Sequence, residues 1–187
     1  MLLDRLFSYP KVIVELGMDD GRLLESLAKS DVNSLYVGIE INKEQCAQAR
    51  DRISFSNVAV MSGSFEDILP AFPDGSVDRF IAVLPDPAFI DEKKESMWKP
   101  FYKTVHTKLK LGGTFQLVAE VSDELLQPVG DEAYNRWATW LESSLLSIGF
   151  TLKSRQEGAP PQYSSRCLDQ FRGDPERIRM ATLELTR

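Results

Sequence analysis

The chain reads as an α/β domain built on an open, mostly parallel sheet, and three observations lead there. Lys11-Val12-Ile13-Val14-Glu15-Leu16 is a β-branched run that turns through Gly17 and Gly21 into Arg22-Leu23-Leu24-Glu25-Ser26-Leu27-Ala28-Lys29, where apolar residues recur at helical spacing. Strand-like and helical segments then alternate as far as Val121. The chain closes on a strand, a long loop and a last strand. With 187 residues, 43% of them hydrophobic, a single domain over 1–187 can bury a full core.

The first loop chooses its ligand by charge. A strand that turns through glycine into a helix places backbone N–H groups where a nucleotide-like ligand can sit. A dinucleotide fingerprint needs G-x-G-x-x-G after the strand, but the positions here read Gly17, Asp19 and Arg22. Asp19 and Asp20 stand where a pyrophosphate would lie and Glu15 just before them, so NAD is disfavoured. S-adenosylmethionine has no phosphate and carries a sulfonium and an ammonium, which acids attract. Glu15, Gly17 and Gly21 match E-x-G-x-x-x-G, the common form of its first motif, with Asp19 in place of the middle glycine. The competing reading is structural: Asp19 or Asp20 caps the helix and Glu15 merely ends the strand.

Ser34 to Glu40 is the second strand, ending in an acid 19 residues beyond Gly21. Such an acid accepts both ribose hydroxyls of a nucleoside, or simply faces water; Ile41 is placed with it at the cofactor. Asn42 caps a helix through Gln45, Ala49 and Ile53. Val58 to Met61 is a third strand, after which Ser64 faces the adenine edge and Phe65 offers a ring or an N–H, unless Phe65 belongs to the core. Pro73-Asp74-Gly75-Ser76 is a turn.

Val77 to Leu84 is the fourth strand, stopped by Pro85-Asp86-Pro87. That turn holds Asp86 at the carboxyl edge of the sheet, beside the first loop where strand order reverses, with Leu84 and Pro85 against the cofactor. Asp86 is the leading candidate for action at the reacting centre, against the plainer reading of a structural turn. Residues 88–99 read as a mobile connection carrying Lys93, Lys94 and Lys99, followed by a helix from about Pro100 to Lys110 that Gly112 and Gly113 cap. Thr114 to Val121 is the fifth strand and brings Glu120 to the same edge. Ala133 to Ile148 is an amphipathic helix whose Trp137 and Trp140 belong to the core. Gly149 to Lys153 and Met180 to Leu185 are the last strands. The loop between them, over twenty residues long, carries Arg155, Arg166, Arg172, Arg177 and Arg179 and reads as a phosphate-contacting arm.

Composition narrows the classes. No apolar run approaches the ~18 residues of a membrane span, and the charged start Met1-Leu2-Leu3-Asp4-Arg5 is no signal peptide, so a cytoplasmic protein is expected. Cys46 and Cys167 form no C-x-x-C pair and read as reduced, structural thiols. His106, the single histidine, is a surface or packing residue, and no metal site is visible. The net charge is −6, yet residues 91–110 hold six basic against three acidic groups, and residues 151–187 seven against five. Those two blocks are where a polyanion is tolerated.

Leu84-Pro85-Asp86-Pro87 resembles the F-P-D-P-W motif of the tRNA (guanine-N7)-methyltransferases, and Leu109-Lys110-Leu111-Gly112-Gly113 resembles their L-K-P-G-G. Asp78-Arg79-Phe80-Ile81 fits the strand leading into the first of these. Five parallel-type strands alternating with helices, then a strand–loop–strand ending, resemble over essentially the whole chain the class I methyltransferase fold, Rossmann-like, with a seven-stranded mostly parallel sheet, an antiparallel last strand and helices on both faces. The resemblance implies S-adenosylmethionine as cofactor, with Glu15 and Glu40 contacting it and Asp86 in the active site. The chain departs from the family pattern at several positions. Ala88 replaces the tryptophan, Ser64 an acid or Asn, Glu120 an Asp, and Ile90-Asp91-Glu92-Lys93-Lys94 the basic K-x-x-H-x-K-R run. No T-x-Y/F-E signature stands near Ser165-Arg166.

The expected activity is methyl transfer to guanine N7 in tRNA, with Asp86 and Glu120 at the base and Lys93, Lys94, Arg166 and Arg172 on phosphates. Gly17, Asp19, Gly21, Ile41, Ser64, Phe65, Leu84 and Pro85 complete the cofactor site. Two rivals stand beside it. The sequence pI of about 4.9 favours a small-molecule or protein substrate, and the changes at Asp19, Ser64 and Ala88 are what a non-catalytic partner of the same fold would show. A homodimer or partner subunit would supply the missing basic surface.

Overall fold

The computed structural model describes residues 5–122 and 127–187, so the reading of Met1 to Asp4 lies outside the described residues. One sheet holds β1 (Lys11–Leu16), β2 (Ser34–Glu40), β3 (Val58–Ser62), β4 (Val77–Val83), β5 (Leu109–Ser122), β6 (Thr151–Glu157) and β7 (Ile178–Thr186). The strand order is β3-β2-β1-β4-β5-β7-β6. β1 pairs in parallel with β2 and β4, β2 with β3, and β4 with β5. β7 runs antiparallel to both β5 and β6, as the family resemblance implies. The order reverses between β1 and β4, where an open sheet of this kind leaves a crevice at its carboxyl edge.

Helices α1 (Arg22–Ser30), α2 (Lys43–Arg52), α3 (Phe65–Ile68), α4 (Glu95–Lys108), α5 (Asp131–Leu146) and α6 (Arg166–Arg172) cover the two faces. Trp98, Tyr102 and Val105 of α4 and Leu141 and Leu145 of α5 bury Val12, Val14, Phe80, Phe115 and Leu117. On the other face Leu24 and Ala28 of α1, Ala49 of α2 and Leu168 of α6 pack against Ile13, Tyr36, Ile81 and Val118. Burial on both faces explains why β1 and β2 are unbroken apolar runs rather than alternating ones. Trp137 and Trp140 lie partly buried against the first cluster, and His106 meets Phe150 edge-on with ring centroids 5.0 Å apart.

Three local expectations differ from the structure. α4 starts at Glu95 and carries Pro100 inside it. The stretch before it is folded rather than loose: short 3₁₀ turns at Pro87–Phe89 and Glu92–Lys94 are held by buried Ile90 and by Trp98, whose Nε1 donates to the Asp91 carbonyl at 2.8 Å. Gly112 and Gly113 cap nothing, because the helix closes at Leu109 and both glycines lie within β5. Gly112 has φ +75° there, and a Cβ on Gly113 would come within 3.1 Å of the Asp78 carbonyl oxygen. The β4–β5 register shifts between Val77 and Arg79 at this level, as at a bulge. Finally, β6 runs on to Glu157 and the arginine-rich loop contains α6, so the segment is largely ordered structure.

Candidate active site

The first loop leaves β1 through three left-handed residues, Gly17 (φ +73°), Asp19 (φ +49°) and Gly21 (φ +75°). Aspartate is among the few side chains that tolerate this region, so Asp19 can stand where related loops carry glycine. The Gly17 and Met18 N–H groups both donate to the Ile39 carbonyl, at 2.9 and 3.1 Å, which folds the loop back over the end of β2. The two aspartates then divide. Asp20 is buried and caps α1 in effect: its Oδ1 accepts from the Arg22 N–H at 3.2 Å, and its Oδ2 lies 2.6 Å from Arg22 Nε. Asp19 lines a cleft of about 270 Å³ together with Glu15, Gly17, Glu40, Ile41, Phe65, Leu84, Pro85, Asp86 and Arg166.

Glu15 is the unusual member. It sits in the central strand between Gly38 and Ile81, is 2% exposed, and its Oε2 has no hydrogen-bond partner. Burial and the neighbouring charges of Asp19, Asp20 and Glu40 hold its carboxyl well above the usual range, against the pull of the Leu24 backbone N–H. Gln45, on the same cleft, also has a buried Oε1 without a partner. Glu40 accepts from the Asp19 N–H at 3.1 Å and the Asn42 N–H at 2.8 Å, so it fixes the first loop as well as facing the cleft.

Leu84, just past β4, has φ +52°, a strained value for a branched side chain, and Pro85 locks the turn that follows. Asp86 is exposed, and its Oδ1 accepts from the Ala88 N–H at 2.8 Å, opening the 3₁₀ turn. This turn stands between two clefts, since Asp86 lines the first and Pro87 and Ala88 line a second of about 350 Å³. The second also holds Lys93, Lys94 and Glu120. Burial raises the Glu120 carboxyl above its ordinary value, while a hydrogen bond from Ser122 opposes the rise.

Several expected site residues stand elsewhere. Gly21 is not on the cleft wall; a Cβ there would come within 3.1 Å of Ala49 Cβ, so its service is to let α1 and α2 close together. Ser64 caps α3 by accepting from the Glu66 N–H at 3.1 Å, and Phe65 both lines the cleft and joins a ring cluster with Phe89 and Phe101. Of the five arginines read as a phosphate-contacting arm, only Arg166 borders the cleft, 3.8 Å from Asp19. Arg172 donates to the Tyr163 and Pro160 carbonyls, Arg155 pairs with Glu142, Arg177 with Asp174, and Arg179 with Asp131 and Glu157. Sequence reasoning passed over Ser165 and Cys167 as cleft residues. The Cys167 N–H donates to Asp19 at 3.4 Å across nearly the whole chain, and nothing local in the sequence announces that contact.

A family model described as a putative methyltransferase matches residues 10–138, which takes in the first loop, Asp86 and Glu120. The chain belongs to that family. Among curated methyltransferases it is similar to the tRNA (guanine-N(7)-)-methyltransferase of Campylobacter fetus subsp. fetus, at 32% identity over 112 residues, 58% of this chain and 28% of that protein. The enzyme of the same name from Yersinia pseudotuberculosis serotype I is 25% identical over 166 residues, 86% of this chain and 64% of that protein. The chain thus spans less than two thirds of these relatives' length. Its methyltransferase fold matches that of the 16S rRNA methyltransferase KamB with a TM-score of 0.76 and 15% identity, covering 98% of this chain and 91% of that one. Among the described residues no helix is long and apolar enough to cross a membrane, and no cluster of side chains is arranged to hold a metal.

Proposed function

We propose that the chain transfers a methyl group from S-adenosylmethionine to guanine N7 in tRNA. The observation that carries the donor half is the unpartnered, buried Glu15 oxygen in a cleft lined by further carboxylates at the reversal point of the sheet. A phosphate-bearing cofactor is repelled by such a wall, and a cationic adenosyl compound suits it. The residues fit that group: Glu40 at the end of β2 is placed for ribose hydroxyls, Phe65 and Ile41 for the adenine, and Glu15, Asp19 and Gln45 for its cationic end. When bound, it supplies a methyl on a positively charged sulfur. The acceptor half rests on the names of the similar enzymes and on the second cleft, where Lys93 and Lys94 offer cations beside Glu120.

Guanine N7 is a lone pair with no proton to remove, so the chain needs alignment more than a base. Asp86 and Glu120 flank the turn between the clefts, orient the purine by its edge, and offset the positive charge left on a methylated base. Lys93, Lys94 and Arg166 take phosphates. Arg172, whose guanidinium is engaged with two loop carbonyls, contributes by holding the segment that presents Arg166. The test is incubation with labelled donor and unmodified tRNA, followed by nucleoside mapping, with label expected in 7-methylguanosine. Asp86→Ala should keep donor binding and lose turnover by on the order of 10²-fold; an unchanged rate removes Asp86 from the mechanism.

A second reading, a small-molecule or protein acceptor, is favoured by one observation: Arg155, Arg172, Arg177 and Arg179, four of the five arginines read as a phosphate arm, are engaged within the chain. It predicts label in neither tRNA nor other RNA.

A further inference from the structure

Four acids gather about the first loop, Glu15, Asp19, Asp20 and Glu40, and they are not equivalent. Asp20 is paired with Arg22 and Asp19 lies near Arg166, while Glu40 accepts two backbone N–H groups. Glu15 alone of the four keeps a buried oxygen with no partner. Around it stand Asp19 and Asp20 from the loop, Glu40 from β2, the Leu24 N–H from α1 and the Tyr163 phenol from the segment before α6. Among the described residues no cation pairs with it. An ionised carboxylate in that position faces three like charges with little water to screen them, and the protonated form escapes that cost.

We propose that Glu15 exchanges its proton for the ligand's positive charge, and that this exchange makes the cleft prefer the sulfonium donor to its thioether product. The inference rests on the donor reading above and adds to it how donor and product are told apart. The step balances simply. The Glu15 carboxyl gives a proton to the buffer, the carboxylate stays, and the incoming cation takes the proton's place; no bond to carbon changes. S-adenosylmethionine carries a sulfonium, an ammonium and a carboxylate, whereas S-adenosylhomocysteine lacks the sulfonium. Once the methyl has left, one positive charge has left the cleft with it, and Glu15 takes a proton back from solvent. The product then has weaker electrostatic hold than the donor. Glu15 is on this account a specificity residue, reading ligand charge without entering the transfer.

Titration calorimetry of the full chain with each of the two compounds, in buffers of low and high ionisation enthalpy at one pH near neutrality, tests this directly. The donor should bind with net proton release, and the product with less. Donor affinity should rise with pH by as much as about tenfold per unit while Glu15 remains protonated in the free chain. Glu15→Gln should abolish the difference in proton release and narrow the donor-to-product preference by about tenfold. Donor binding with heat independent of buffer overturns the inference and leaves the donor reading standing, and so does a Glu15→Gln protein that still releases the proton. No donor binding at all overturns both. Should Glu15→Gln fail to fold, the buffer comparison on the unaltered chain decides alone.

Discussion

Glu15 occupies the most enclosed position a carboxyl can take in this sheet, and the fold loses stability for it at neutral pH. In the unfolded chain it ionises in the ordinary range, near about 4.3; in the folded chain burial and three acids keep the proton on to higher pH. Between those two values the native state binds more protons than the unfolded state, so stability falls as pH rises. Glu15→Gln is therefore expected to raise Tm at about pH 7.5 and to leave it nearly unchanged at about pH 4. Thermal melts at both values check this, and an equal gain at both would show that the acid's charge is not the cause. The sequence made Glu15, Glu40 and Asp86 legible because each stands at or just beyond the carboxyl end of a strand, and strand ends can be read from where apolar runs stop. It named Asp19 rather than Asp20 for the cofactor only from the motif position, with no physical reason to separate them. Which of two adjacent acids faces the cleft depends on the left-handed turn at Asp19 and on Arg22 drawing Asp20 away.

The element that closes the cleft from the carboxyl-terminal side is the segment leading into α6, and a buried polar cluster fixes it. Arg79 of β4 donates to Gln116 of β5 at 2.9 Å and to the Tyr163 hydroxyl at 3.1 Å, and Tyr163 also bonds Gln116. Tyr163 is 3% exposed, so losing its hydroxyl removes two hydrogen bonds from a buried cluster and leaves only the Arg79–Gln116 bond. Tyr163→Phe should cost about 1–3 kcal/mol in urea denaturation. It should also speed tryptic cutting after Arg166 and Arg172, and unaltered cutting would mean that other contacts hold the segment. A second element is held by absence of a side chain. A Cβ on Gly38 would stand 2.3 Å from Met18 Sδ and 2.8 Å from Leu24 Cδ2. Gly38→Ala should destabilise by about 1–3 kcal/mol and weaken donor binding by displacing the first loop, read by denaturation and calorimetry on the same sample. These elements were the less legible part. The arginines looked like a phosphate arm because a sequence shows charge without partners, and the partners of Arg155 and Arg179 lie on α5 and β6. The glycines after α4 looked like a cap because a long strand with a bulge begins with the same residues.

At the scale of the molecule, an acidic chain is asked to meet a polyanion through a small cationic region. Charge reversal at Lys93 and Lys94 together should lower tRNA affinity across sequences, and flatten its salt dependence by about one unit of slope for each phosphate no longer neutralised. Filter binding at several salt concentrations measures both, and an unaffected slope places the RNA elsewhere. Strand order could be anticipated because parallel strands joined by helices have few right-handed solutions. The family resemblance implied an antiparallel last strand but not its place between β5 and β6, since no local pattern distinguishes an inserted strand from one added at the edge. That insertion also governs how the domain can be made. β6 touches the sheet only through β7, and β5 has no partner on that side until β7 arrives. Residues 109–157 therefore leave the ribosome with two unpaired strand edges exposed, and they wait for the keystone at 178–186 before that flank can close.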